Sequence, residues 1–309
     1  MNSDSSLVIE AEPSPSLIIA ADRALARAAV VALRDELKAY PKPGLVSPVD
    51  SGAHTDMDFA LMSRSADSLL EPFADLAAAG RAGRSFEGAL MSLGVAAERR
   101  MLAATGGVNT HRGAIFSLGL IIAAAAKAQQ RAPSGLSPAL VQATLMDSWG
   151  DALEIHACRG AVASSHGALV QRRTGRDGVR REAARGFPSL FRIGIPTYIQ
   201  AREAGLADNA ACIQTLFALM ASVDDTTVLY RGGLEGGSFV RRSAADFLAA
   251  GGCVRDGWFE EAEDLHRVFV ARNLSAGGCA DLLAATLFVA RVAEMTPLNG
   301  PNASAVSEP

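Results

Sequence analysis

Aromatic side chains make up only 6% of this 309-residue chain, so its core has to be built from Ala, Leu, Val and Ile, within an apolar content of 49%. Positive charge is not in excess. The formal net charge of −4 argues against a general nucleic-acid binder, whose contact face is normally basic, but leaves room for a local basic pocket. Cysteine is sparse: Cys158, Cys212, Cys253 and Cys279 lie far apart, with no C-x-x-C pair, as reduced thiols of a cytoplasmic protein do. The N-terminus lacks the basic region of a secretory signal. The longest apolar run, between Arg112 and Lys127, is interrupted by Ser117 and Gly119 and reads as too short to span a bilayer. The expectation is therefore a cytoplasmic location, with neither a membrane nor a nucleic acid as partner. H-E-x-x-H, G-x-S-x-G and Cys/His ligand sets are also missing, so zinc and acyl-transfer chemistry are not expected.

What is present is helical periodicity in nearly every segment. Apolar residues recur at three-to-four spacing over Leu17–Ala39, Met57–Ala79, Ser85–Ala103, His111–Gln130, Ser137–Arg173, Asn209–Ser222, Arg242–Ala250, Trp258–Asn273 and Cys279–Glu294. No sustained alternation and no hairpin signal accompany them. Gly and Pro gather in the connections Pro41–Gly44, Gly106–Gly107, Gly186–Pro188, Gly194–Pro196, Gly232–Gly237 and Gly277–Gly278. The fold class read from this pattern is all-α: a single domain over residues 17–295, of about ten helices, with functional groups on the loops. Residues 1–16 and 296–309 read as mobile tails. No fixed-period repeat is visible, which argues against a solenoid.

The densest chemistry lies in Gly106-Gly107-Val108-Asn109-Thr110-His111-Arg112, which opens into the apolar stretch that follows. A glycine-containing loop feeding a helix start offers backbone N–H groups and the positive end of the helix dipole to an anion. Asn109 or Thr110 suits the cap, and Thr110, His111 and Arg112 are then placed to meet a phosphate. Two prolines hold Lys42 on a stiff, extended loop. After it come His54, Asp56 and Asp58; with a helix starting near Thr55, the two acids fall in its first turn. There they either complement the dipole or bind Mg²⁺ beside a phosphate chain. Asp224-Asp225-Thr226, followed by Arg231-Gly232, offers metal ligands and a phosphate-binding guanidinium in one loop, or ordinary surface chemistry. Ser275, Gly277 and Gly278 precede another helix start that could hold a second anionic or ribose-bearing group. Glu98 alone reads as a solvated helix-face residue. His156, His166 and His266 lack metal-ligand spacing.

In chain order, these strings resemble the triphosphoribosyl-dephospho-CoA synthase family. The matching blocks are Pro41–Val46, Gly52–His54 with Asp56–Asp58, Ala104–Phe116, Glu182 with Gly186–Pro188, Asp225-Thr226 with Arg231–Gly233, and Asn273–Ala284. Asp224-Asp225 and Ser165–Ala168 look more like the malonate decarboxylase branch than the citrate lyase branch. Tyr230 departs from the histidine frequent before Arg231-Gly232, which puts a proton-transfer role at that position in doubt. The resemblance implies an all-helical enzyme that transfers the triphosphoribosyl group of ATP to the 2′-hydroxyl of 3′-dephospho-CoA and releases adenine. The product is the precursor of a prosthetic group later attached to an acyl-carrier subunit. On that footing Lys42, Arg112 and Arg231, with Gly106, Gly107, Asn109, Thr110 and Gly232, are expected to bind ATP phosphates. Mg²⁺ is the expected ion, with Asp58, Asp224 and Asp225 as ligands. Glu98, His111 and Asp225 are the catalytic candidates, and Ser275, Gly277 and Gly278 the candidate acceptor-binding residues. A helical Mg²⁺-dependent N-glycoside hydrolase of the ADP-ribose type, or a non-catalytic helical module, are the competing readings.

Overall fold

The computed structural model describes residues 14–132, 135–159, 166–176 and 178–295, and these contain helices and turns but no strand. Helix α1 (Pro15–Lys38) starts where Ser14 accepts a hydrogen bond from the Leu17 N–H and Pro15 fills the first helical position, where its missing N–H costs nothing. It begins inside the stretch expected as a tail. Residues 1–13 and 296–309 lie outside the described residues. The buried face of α1 carries Leu25, Ala29, Ala32, Leu33 and Leu37, with Glu36 among them.

The helix expected over Met57–Ala79 is two helices, α2 (Phe59–Ser68) and α3 (Leu70–Arg81), divided at the buried Leu69. The start lies at Phe59 rather than near Thr55, because Asp58 takes the N-cap and its Oδ1 accepts from the Leu61 N–H at 2.7 Å. A π-helical turn, Phe86–Leu90, precedes α4 (Met91–Ala104), and α5 (Arg112–Arg131) follows the Gly106 loop. Then come α6 (Pro138–Cys158) and α7 (His166–Thr174). The continuous helix expected over Ser137–Arg173 crosses residues 160–165, which lie outside the described residues. Helix α8 (Val179–Ala184) and a second π-helical turn, Leu190–Gly194, leading into α9 (Ile195–Glu203), lie where no helical stretch is read from the sequence, and the expected connection Gly194–Pro196 is the junction of that turn with α9. Pro196 fits because it lies in the first turn of α9.

Helix α10 (Asp208–Ser222) is followed by α11 (Thr226–Ala249), α12 (Trp258–Ala271) and α13 (Gly277–Ala293). The expected connection Gly232–Gly237 is instead part of α11. The chain bends at Gly233 (φ 60°, ψ −159°) and resumes its helix, a backbone excursion open to a residue without Cβ.

Helix α5 lies at the centre and packs against α1, α3, α4, α6 and α13. Its run from Leu118 to Ala126 is almost completely buried. At 20 residues it is long and apolar enough to cross a membrane, contrary to the length expected from sequence, but most of it is enclosed by protein. A helix apolar all round in that setting is a core helix. The alanine-rich composition has a direct use here: a Cβ built on Gly80 of α3 would lie 2.3 Å from the Ala123 carbonyl oxygen and 2.4 Å from its Cα. Two helix backbones therefore touch, and no side chain fits between them. Gly80→Ala is expected to cost about 1–3 kcal/mol by overpacking, read as a lower urea midpoint. Gly94→Ala in α4, where the same test meets nothing within 4 Å, should instead gain about 0.5–1 kcal/mol from helix propensity.

The segment between α1 and α2 is pinned on three sides. Asn209 brackets Tyr40, accepting from its N–H at 2.9 Å and donating to its carbonyl at 2.6 Å. His266 bridges the Lys42 carbonyl (2.8 Å) and the Asp50 carboxylate (3.0 Å), which makes it a packed structural histidine. Gly44, at φ 68°, lies so close to the 274 backbone that an added Cβ would fall 2.0 Å from the Leu274 carbonyl oxygen.

Candidate active site

Three helix starts, those of α5, α11 and α13, are held together by two carboxylates. Asp225 is buried and caps α11: its Oδ1 accepts from the N–H groups of Thr227 (2.8 Å) and Val228 (3.2 Å). Its Oδ2 accepts from the Cys279 N–H at 2.8 Å, in the first turn of α13. Gly278 lies beneath this contact, and a Cβ there would be 3.1 Å from Asp225 Oδ2. Asp281, one turn into α13, reaches the start of α5, where it accepts from the Ala114 N–H. Gly113 permits the approach, since a Cβ on it would meet Asp281 Oδ2 at 2.0 Å. Burial pushes the Asp281 carboxyl well above the usual carboxylate range, and the charges of Glu36 and Asp225 add to the effect. Burial also raises Asp225, against the pull of its backbone donors, and it raises the Cys279 thiol.

Beside these carboxylates lies a buried ion pair. Lys42 Nζ donates to Glu36 Oε1 at 2.5 Å and to the Glu36 carbonyl at 2.7 Å, and Lys42 is only 1% exposed. The lysine expected to meet a phosphate therefore has a carboxylate for its partner. His111 is the N-cap residue of α5 and is itself buried. Its Nδ1 lies 2.7 Å from Ser65 Oγ on α2, which lies 2.6 Å from Thr110 Oγ1. Nε2 of His111 is buried with no partner. Burial, helped by the nearby Lys42 charge, lowers this imidazole to about 4, so it is neutral near pH 7. Asn109 contributes a weak cap, accepting from the Arg112 N–H at 3.3 Å. Gly106 and Gly107 are exposed, with φ of 65° and 93° and open space above them. Arg112 forms an ion pair with Glu98.

A second polar group forms the flank. Arg231 donates to the Ala53 carbonyl (2.7 Å), to Asn273 Oδ1 (2.8 Å) and to His54 Nδ1 (3.1 Å). An Nδ1 that accepts leaves Nε2 carrying the proton, and Nε2 donates to the buried Ser275 Oγ at 2.8 Å. Burial and the Arg231 charge lower the His54 imidazole. His54, Asp56, Asp58 and Arg64 line an open pocket of about 290 Å³ at this edge. Gly232 packs on the same strap, its Cβ position 2.6 Å from Leu274 Cδ2.

The expected metal ligands do not converge. Asp58 caps α2, and Asp225 ties α11 to α13. Asp224 is ion-paired with Arg176 (3.0 Å) and Arg241. Among the described residues no group of three His, Cys, Asp or Glu side chains is arranged to hold a metal ion. In this structure the carboxylates expected to bind Mg²⁺ are engaged as helix caps and ion-pair partners.

Direct contacts join segments near positions 44, 54, 231 and 275, and Asp225 is tied to the start of α13. A family model for ATP:dephospho-CoA triphosphoribosyl transferase, the CitG family, matches residues 22–299. The chain belongs to this family. It is 41% identical over 288 residues to a probable 2-(5''-triphosphoribosyl)-3'-dephosphocoenzyme-A synthase of Azotobacter vinelandii, covering 92% of this chain and 94% of that protein. The 2-(5''-triphosphoribosyl)-3'-dephosphocoenzyme-A synthase of Klebsiella pneumoniae is 39% identical over 284 residues, with 87% and 94% covered. No solved structure matches. In this triphosphoribosyl transferase Glu36, His54, Ser65 and Asp281 had no predicted role, although they complete the polar sets described above. Two of them carried a readable signal: Glu36 is a charge inside the apolar stripe of α1, and Asp281 is the one acid of α13.

Proposed function

We propose that this transferase moves the triphosphoribosyl group of ATP onto the 2′-hydroxyl of 3′-dephospho-CoA, releases adenine, and so makes the precursor of the malonate decarboxylase prosthetic group. The product would pass on for attachment to an acyl-carrier subunit. The Asp224-Asp225 pair supports the malonate branch; the Ser165–Ala168 string, the other support, begins outside the described residues. A cytoplasmic site of action fits the free thiols of Cys158, Cys212, Cys253 and Cys279. In this reading Mg²⁺ enters as the counter-ion of the triphosphate, not as an ion resident in the protein.

The observation that carries the catalytic reading is the unpartnered, buried Nε2 of His111 at a helix start. A buried polar atom without a partner is costly, and a substrate hydroxyl would satisfy it. With Nδ1–H donating to Ser65 and Ser65 donating to Thr110, Nε2 keeps its lone pair and takes the proton of the attacking hydroxyl. The guanidinium of Arg112, in the first turn of α5, would face the phosphates, since anions favour helix N-termini. Gly106 and Gly107 instead follow the C-terminus of α4, where the Gly107 N–H donates to the Leu102 carbonyl at 2.8 Å. Mass spectrometry of a reaction containing ATP and 3′-dephospho-CoA tests the reading: a product heavier by one triphosphoribosyl group, with free adenine, is expected. Adenine released equally well from ATP alone would mark a hydrolase and overturn it.

His111→Gln should lower turnover by about 10²–10⁴-fold, the usual worth of a positioned base. It should also change the acid stability. The folded imidazole titrates near 4 and the unfolded one near 6.5. The unfolded chain therefore binds the proton first as pH falls. This preference stabilises the fold fully above 6.5 and is lost as pH drops from 6.5 to about 4, a change of about 3 kcal/mol. Denaturant titrations across this range should show that slope in the wild type and lack it in the variant.

A further inference from the structure

Transfer of a ribosyl group from adenine needs an acid as well as a base, because a purine leaves poorly as an anion. His111, held neutral, is poorly suited to donate that proton. Five carboxylates lie near the starts of α5, α11 and α13, and four of them are engaged by cations or by several backbone donors. Glu36 is paired with Lys42, Glu98 with Arg112, Asp224 with Arg176 and Arg241, and Asp225 accepts from three backbone N–H groups. Asp281 differs. Its described hydrogen bond is the one from Ala114 at the start of α5, and part of its surface stays open although it sits deep between helices. It also shares a helix end with His111, the N-cap residue of α5 whose Nε2 lacks a partner.

We propose that Asp281 is the acid that protonates the departing adenine. The assignment rests on the transfer reaction proposed above. In that step the C1′–N9 bond breaks with its electron pair passing to the purine, and a bond forms between C1′ and the acceptor 2′-oxygen. The carboxyl proton of Asp281 goes to a purine nitrogen, while the hydroxyl proton goes to Nε2 of His111. One proton is given and one taken, so exchange between His111 and Asp281 through solvent restores the starting state. Burial and the neighbouring negative groups favour the protonated carboxyl. Glu36 on α1, Asp225 before α11 and Cys279 on α13 face Asp281 with negative or neutral groups, and the Lys42 cation nearby is held by Glu36.

The test compares wild type, Asp281→Asn and Asp281→Glu in the adenine-release assay with ATP and 3′-dephospho-CoA across pH. Asparagine keeps the shape and the acceptor for the Ala114 N–H but has no proton to give. The wild-type rate should fall at high pH, as Asp281 deprotonates. Asp281→Asn should lower kcat by about 10²–10⁴-fold, change KM for ATP little, and lose that alkaline limb. Asp281→Glu should retain the limb and a rate above that of the asparagine variant. An alkaline limb that survives in Asp281→Asn, a loss confined to KM, or equal losses in both variants would overturn the assignment. Wild-type enzyme that releases no adenine from these substrates would overturn the reaction itself, and the assignment with it.

Discussion

Lys42→Met should unfold at a markedly lower denaturant concentration than the wild type, with a loss of about 3–5 kcal/mol. That is the range for removing one partner of a buried ion pair and leaving the other charge uncompensated. Lys42 and Glu36 are nearly inaccessible, so water cannot replace the missing ammonium. The loss is a large share of the roughly 5–15 kcal/mol that holds a typical domain together. A second substitution separates structure from substrate binding. Lys42→Met combined with Glu36→Gln removes both charges, and replacing both partners is far less costly than removing one. Where Lys42 serves the fold, the double variant should regain stability and its KM for ATP should stay near the wild-type value. Recovered stability with a KM raised tenfold or more would instead restore the phosphate-binding role expected from the sequence.

The helical class was legible because α1, α5, α10, α12 and α13 each repeat their apolar positions over many turns, and such long periodic segments are the strongest signal a single sequence offers. The breaks were harder to see. Leu69 divides α2 from α3 although it is apolar and in phase with both; nothing local separates it from a mid-helix leucine, and tertiary packing decides. Glycines misled in the opposite direction at Gly232–Gly237. There the helix is interrupted only at Gly233 and resumes beyond it, while Gly232, Gly236 and Gly237 lie against Leu274 and Leu229. Their role is close packing, which composition alone cannot distinguish from a turn. The same physics places Gly80 on Ala123 and Gly113 under Asp281.

The candidate polar groups were legible where such residues crowd together along the chain, as at Gly106–Arg112 and at Asp224–Arg231, the second of which runs into the cap and first turns of α11. Their arrangement was not legible where a functional group lies on a regular helix and acquires its neighbours only through folding. Ser65 reads as an ordinary helical residue until α2 meets the Gly106 loop, and Asp281, though visible as the one acid of α13, acquires its neighbours only when α13 meets α5. Charge state was hidden for the same reason. His111 looks like a cation in the sequence, yet burial makes it neutral. Asp224 looks like a metal ligand, yet two arginines reach it from α11 and from beyond α7.

Asp225→Ala should be strongly damaging, and its effect should appear first as instability. The side chain satisfies the Thr227, Val228 and Cys279 N–H groups, with Val228 and Cys279 almost fully buried. Loss of a helix cap costs about 0.5–2 kcal/mol, and a buried donor left without a partner costs about 1–3 kcal/mol, so a loss of roughly 3 kcal/mol is expected. The two losses share one carboxylate, and removing it also releases the start of α13 from that of α11. Asp281 sits in the freed turn, so turnover should fall with stability. Asp225→Asn discriminates between capping and chemistry. Its amide oxygen can still accept from the first turn of α11, but its NH₂ group faces the Cys279 N–H, donor against donor. The asparagine variant should therefore retain part of the stability lost in the alanine variant, and its residual activity should follow the folded fraction measured by urea denaturation. A fully stable Asp225→Asn protein without detectable turnover would show that Asp225 acts on the substrate directly, and would return it to the catalytic set expected from its sequence.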